Sequence, residues 1–200
     1  PIFRCPSDPD SLPATIGGRN NYYWNAGNGV VMYATGAAGQ PTPNGIIYHN
    51  TKVRFSDIVD GTSNTSAMSE KMTGDGSNAV STPATDTYQP GTYPNNADEA
   101  MQQCNATDTT DLTKQGYSNV GGPWLQQYHS TNQFNHILPP NGRSCMFPPG
   151  QIATTANSKH TGGVHLMLCD GSVRFISNSV NLGTWRSLGS INGGEVVGEF

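Results

Sequence analysis

Four cysteines, five histidines and a scatter of carboxylates carry the reactive chemistry of this 200-residue chain. Cys169 follows His165 by four positions, so on an extended strand both side chains fall on one face, where a thiol nucleophile could meet a base. The ordinary reading is stronger, because a half-buried cysteine on a strand is usually structural or disulfide-bonded. His49, His129, His136, His160 and His165 are scattered, and none pairs at metal-ligand spacing on a helix face. There is no His-Glu-x-x-His, no Gly-x-Ser-x-Gly and no Gly-x-x-x-x-Gly-Lys loop. Asp60-Gly-Thr-Ser63 has the composition of an aspartic-protease signature but not its order, and Gly74-Asp-Gly-Ser-Asn78 reads as a turn rather than a phosphate cradle. The expectation is a protein that is not an enzyme.

Three binding chemistries remain. Asp57, Asp60, Glu70, Asp75, Asp98, Asp108, Asp111 and Asp170 sit in loops rich in Asn and backbone carbonyls, which suits a structural calcium ion. No spacing matches an EF-hand loop, so a calcium site stays unassigned and no cofactor is expected. The aromatics Tyr22, Tyr23 and Trp24, with Trp124 and Tyr128, could stack on the pyranose faces of a surface polysaccharide; core packing is the commoner use of such rings. Asn64 and Asn105 head Asn-x-Ser/Thr sequons.

The cysteines lie far apart, with no C-x-x-C pair, a pattern suited to long-range disulfides in an oxidising, extracellular compartment. Cys104 and Cys145 flank a weakly structured middle region, and a bridge between them would contribute about 4 kcal/mol by loop closure. Cys5 and Cys169 are then the candidates for a second bridge, although four cysteines allow three connectivities.

Composition sets the frame. Apolar residues make up 34% and charged residues 12%, the balance being shifted to 24 Gly, 14 Pro and an excess of Asn, Thr and Ser. Such a chain suits a β-rich, loop-heavy, exposed fold rather than disorder, which would carry more charge and fewer aromatics. A net charge of −4 without a Lys/Arg cluster argues against nucleic acid as partner. No run approaches ~18 apolar residues, so a membrane is reached only through a segment outside this chain. Because the sequence starts at Pro1, a signal peptide or anchoring helix upstream is expected.

The elements that would position these residues read as one domain over 1–200. Val30–Thr35 and Gly45–Phe55 read as strands around a Gly/Pro loop. Ser56–Gly61 reads as one capped helical turn, and Asn64–Glu70 as another strand. Residues 73–130 read as a loop-rich insertion, irregular and on the surface. Residues 160–200 read as a β-hairpin, a short helix and a last strand. Asp170-Gly171 is a strong two-residue hairpin signal, placing Val164, Leu166, Leu168, Val173 and Phe175 on one core-facing side. Asn181 caps a helix that turns Trp185 and Leu188 inward before Gly189 stops it.

Several segments then fall into a familiar order: Phe3-Arg-Cys-Pro-Ser-Asp-Pro9, Asn20-Asn-Tyr22, Asn25-Ala-Gly27, Val53–Thr65 leading to Glu70, Phe134–Asn141, and Cys145. His160 followed nine residues later by Asp170-Gly171, then Trp185–Gly189 and Gly193-Gly-Glu195, complete it. In this order the chain resembles the planctomycete-type pilin-like surface proteins, which carry a domain of unknown function behind a prepilin-type N-terminal helix. The resemblance implies an α+β, predominantly antiparallel head of pilin or pseudopilin type with a variable insertion, the hydrophobic helix being absent from this chain. It implies a self-associating subunit of a cell-surface filament. The alternative is an extracellular carbohydrate- or ligand-binding module on the same scaffold. His160, Asp170 and Gly171 are expected to serve the hairpin structurally rather than to form an acid–base or ligand set.

Overall fold

A computed structural model describes residues 2–32, 42–48, 51–126, 128–195 and 197–200. It is a mixed α+β fold dominated by two five-stranded sheets. The first sheet runs β10-β9-β3-β1-β6, built from β1 (Tyr22–Asn25), β3 (Ser66–Glu70), β6 (Gln133–Phe134), β9 (Gly163–Leu168) and β10 (Val173–Ser177). The second runs β2-β8-β7-β4-β5, from β2 (Val31–Met32), β4 (Thr87–Tyr88), β5 (Gln115–Tyr117), β7 (Ser144–Phe147) and β8 (Gln151–Ala153). Among the described strands, only β1/β6 and β4/β7 pair in parallel. Two helices complete the described elements, α1 (Ala97–Asn105) and α2 (Leu182–Ser187).

Each sheet buries one face. Beneath the first, Tyr23, Phe134, Val164, Leu166, Leu168 and Ile176 pack with Trp185 and Leu188 from α2 and the residue after it. The second covers Tyr88, Ile137, Leu138, Cys145 and Phe147 together with Ala100 and Cys104 of α1. The indole N–H of Trp185 donates to Leu138 O at 2.8 Å and ties the two cores together. Within the first layer, the Asn25 amide donates to Ser66 O (3.0 Å) and Gly189 O (2.9 Å), joining β1 to β3 and to the end of α2.

The hairpin forms with a different register. Val173 pairs with Met167, Phe175 with His165 and Ile176 with Val164. Gly171, at φ +86°, closes a three-residue turn in which its N–H donates to Leu168 O and the Leu168 N–H donates to Ser172 O. A type I′ turn would need positive φ at Asp170 as well; the Asp170 carboxylate instead accepts from the Ser172 N–H and hydroxyl, which favours the bulged turn. A one-residue slip sends alternate side chains to the other face. Val173 and Phe175 therefore leave the core face and stand 61% and 47% exposed, while Ile176 takes the buried position.

Several other expectations change. Residues 73–130 are loop-rich, yet they supply β4, β5 and α1, and so part of the second core. The α1 signal is local: Asn96 Oδ1 accepts the Glu99 N–H while the Glu99 carboxylate accepts the Asn95 N–H. Replacing Asn96 with Ala is expected to cost about 1 kcal/mol, read as a lower midpoint in thermal unfolding. Gly45–Phe55 forms no strand over its described residues, and the expected helical turn is a 3-10 turn at Phe55–Asp57. The latter part of Val30–Thr35, like His49, lies outside the described residues. The described residues after Gly193 contain no strand. Asn181 caps α2, accepting from the Thr184 N–H. Gly189 matters for space rather than for a left-handed cap, because a Cβ there would lie 2.8 Å from the His136 ring.

Candidate functional site

The shifted register composes the outer face of the first sheet. Pairing across four strands sets Trp24, Met68, Met167 and Val173 in one row. In the neighbouring row Tyr22 opposes Glu70, and His165 opposes Phe175. Phe3 and Trp124 stack beside the first row with ring centroids 5.5 Å apart, and Leu125 next to them is 76% exposed. The result is two adjoining grooves of about 400 Å³ and 290 Å³, both lined by Phe3, Tyr22 and Met68.

Of the aromatics singled out from the sequence, Tyr22, Trp24 and Trp124 meet in the larger groove. Tyr23 points the other way, is fully buried, and donates its hydroxyl to Ser130 O. Tyr128 lines a separate cleft of about 300 Å³ with Tyr117 and His129. The shared surface is thus built by β1, the N-terminal segment and the loop around Trp124.

At the end of the smaller groove lie three residues from distant parts of the chain: Cys5, Glu70 and His160. Each offers one donor atom, and these lie within 4.8 Å of one another. Asn21 positions the cysteine: its Oδ1 accepts the Cys5 N–H (3.0 Å), its own N–H donates to Phe3 O, and its amide donates to Lys71 O and to the Asp8 carboxylate. Asp8 also accepts from Thr73 N–H and hydroxyl, which pins the N-terminal segment beside β3. Glu70 ends β3, buried, with Oε1 3.1 Å from His160 Nε2 and Oε2 accepting the His165 backbone N–H at 2.8 Å. His165 Nδ1 stands 3.3 Å from the same Oε2, and the two imidazoles meet edge-on at 4.7 Å. Burial raises the Tyr22 phenol pKa, and the nearby Cys5 and Glu70 raise it further.

His160 and Asp170 do not meet. They stand beyond opposite ends of β9, whose six residues span roughly 17 Å at ~3.3 Å per residue. Asp170 and Gly171 make the turn, while His160 faces Glu70. Sequence reading named all three members of the Cys5 cluster but had no spacing that could assemble them.

Cys104 and Cys145 form a disulfide that fastens α1 to β7. Cys5 and Cys169 are free thiols and do not form the second bridge. Cys169 donates its N–H to Thr65 O at one end of β3, whereas Cys5 sits beside Glu70 at the other. Burial and the neighbouring Asp170 push the Cys169 thiol up to about 11, a poor nucleophile at neutral pH. The carboxylates considered for calcium serve turns and caps: Asp57 accepts Arg54 N–H, Asp60 those of Gly193 and Gly194, and Asp75 that of Ser77. Asp108, Asp111 and Asp170 each accept from a Thr or Ser two residues on, and Asp98 pairs with Arg186.

One contact has the geometry of a nucleophile and its base, Ser66 Oγ at 2.7 Å from His136 Nε2. Both residues are completely buried, and burial pushes His136 down to about 3, so the pair is a core contact that substrate does not reach. No helix among the described residues is long and apolar enough to cross a membrane.

A sequence model for a family described as a protein of unknown function, DUF1559, matches residues 1–183. No curated protein and no solved structure matches the chain.

Proposed function

We propose that this chain, which belongs to the DUF1559 family, is a non-catalytic subunit of an extracellular, pilin-like assembly that associates through the outer face of its first sheet. The observation that carries this reading is the row Trp24, Met68, Met167, Val173, crossing four strands and flanked by Phe3, Phe175 and Leu125. Contiguous apolar surface of this kind marks an interaction site, whereas single exposed apolar residues need no explanation. Its edge strand β10 is also unpaired on its outer side in the described fold and available for sheet extension. The Cys104–Cys145 disulfide fits an oxidising compartment. The sealed Ser66–His136 contact and the raised Cys169 thiol favour a structural role over a hydrolase.

Sedimentation velocity over a concentration series tests the proposal. The chain is expected to self-associate, and the pair Val173→Lys with Phe175→Ser to remain monomeric with its thermal midpoint within a few degrees of the original. A chain that stays monomeric throughout, or associates equally well in the double variant, overturns the reading.

The convergence of Tyr22, Trp24 and Trp124 with the amides of Asn20, Asn132 and Gln133 in one groove supports a second reading, a polysaccharide-binding module. Binding on a glycan array that disappears in Trp24→Ala, without loss of folding, would place that reading first.

A further inference from the structure

We propose that Cys5, Glu70 and His160 bind a divalent transition ion of the zinc type, with His165 orienting the carboxylate. The three side chains bring one thiol, one carboxylate and one imidazole to a single point, and among the described residues they are the only such group of three or more. The donor set selects the metal. Sulfur and imidazole nitrogen suit Zn²⁺ and its first-row neighbours, whereas Ca²⁺ takes oxygen ligands. Bonds of about 2.0–2.3 Å to a tetrahedral ion put neighbouring donors roughly 3.3–3.8 Å apart. The 3.1 Å between Glu70 Oε1 and His160 Nε2 already approaches that edge, and the upper limit of 4.8 Å for the cluster asks for about 1 Å of side-chain movement.

The surroundings have the form of a built site. Glu70 Oε2 is held by the His165 backbone N–H, leaving Oε1 directed at His160. Ser7 Oγ lies 2.9 Å from Cys5 Sγ, placed to donate to a thiolate. On binding, Cys5 loses its S–H proton to solvent as the S–metal bond forms, and no oxidant or reductant is needed. Three protein ligands leave one coordination position for water or for a group delivered by the adjoining groove. Such an ion would clip the N-terminal segment, the end of β3 and the approach to β9 together, and so fix Phe3 and Tyr22 at the groove.

Without metal the same contacts reduce to a His160–Glu70 contact at 3.1 Å and a Cys5–Ser7 hydrogen bond, and the test separates the two. The chain is freed of metal with EDTA and titrated with Co²⁺, which reports on its ligands in the visible and near-ultraviolet. One equivalent is expected to bind with a sulfur-to-cobalt charge-transfer band, to be displaced by Zn²⁺, and to raise the thermal midpoint until EDTA is added. Cys5→Ser should abolish the band. His160→Gln, at a side chain 36% exposed, should weaken binding at least ~10-fold. His165→Ala keeps the backbone N–H that holds Glu70 Oε2 and removes only the Nδ1 contact at 3.3 Å, so it should weaken binding less than His160→Gln does. Cys169→Ser should leave the band intact. A folded chain that takes up no Co²⁺, a band that survives Cys5→Ser, or one that vanishes with Cys169→Ser overturns the proposal.

Discussion

Unfolding free energy is expected to climb as the pH rises from about 4 to about 9, because the fully buried bases resist protonation. Burial lowers His129 to about 4 and His136 to about 3, both from 6.5, and Lys71 to about 7 from 10.5. In each case the unfolded chain binds the proton more tightly, so between the two values it holds more protons and stability grows with pH. Asp86 works the other way: burial raises it from 3.8 to about 6, and its contribution is lost as the pH passes through that value. Two histidines against one carboxylate leave a net gain, on the order of 4 kcal/mol between pH 4 and 6.5 at about 1.4 kcal/mol per unit per group. Lys71 then adds on the order of 3 kcal/mol between pH 7 and 9, above which the raised thiol of Cys169, ordinarily near 9, begins to oppose it. The Lys71 ammonium donates to Ser144 Oγ and Thr155 O, both at 2.9 Å, deep between the sheets. Denaturant titrations at pH 4.5, 6.5, 7 and 9 check the profile. Lys71→Met should flatten its upper part and His136→Asn its lower part. A curve flat between pH 7 and 9 in the unaltered chain would mean that water reaches Lys71.

Reduction of the Cys104–Cys145 disulfide, or its replacement by two alanines, is expected to cost about 4 kcal/mol by the loop-closure argument for a sequence separation of 41. The loss should fall unevenly. Only Ala100 and Cys104 of α1 are fully buried, so the helix has little apolar grip of its own. Its other ties include Ala97 and Met101, only partly buried against the second core, and Arg143, which donates to Asn105 O and Thr107 O. The Thr92 hydroxyl also donates to Gln103 Oε1, and Arg186 pairs with Asp98, whose carboxylate is exposed. Exposed ion pairs are worth little, typically about 0–1 kcal/mol. Hydrogen exchange should therefore lose protection first over residues 97–107, before the strands of the first sheet. Uniform loss across both sheets would show that α1 and its loop are integral to one cooperative unit.

Much of the architecture was legible in the residues. The β-rich, loop-heavy character followed from composition and turn formers, the α+β class was implied by the family resemblance, and β3, β9, β10 and the Asn181-capped α2 followed from alternation and capping. The Cys104–Cys145 bridge was suggested by cysteines flanking a core-poor segment. The α1 cap, Asn96 with Glu99, was equally local and could have been read. Other features were decided by the tertiary fold. Whether Asp170-Gly171 closes a two- or three-residue turn depends on local geometry at Asp170 and Ser172, yet it determines which face receives Val173 and Phe175, and with it the outer surface of the hairpin. The pairing of β1 beside β3 and β9 turned scattered Tyr22, Trp24, Met68 and Met167 into a continuous face while committing Tyr23 to the core. Cys5, Glu70 and His160 stand tens of residues apart, and no spacing rule links them. Their meeting depends on Asn21 and Asp8 pinning the N-terminal segment beside β3. Local chemistry is written in sequence because its partners are neighbours along the chain; a site assembled from three segments exists only once the sheets have brought them together.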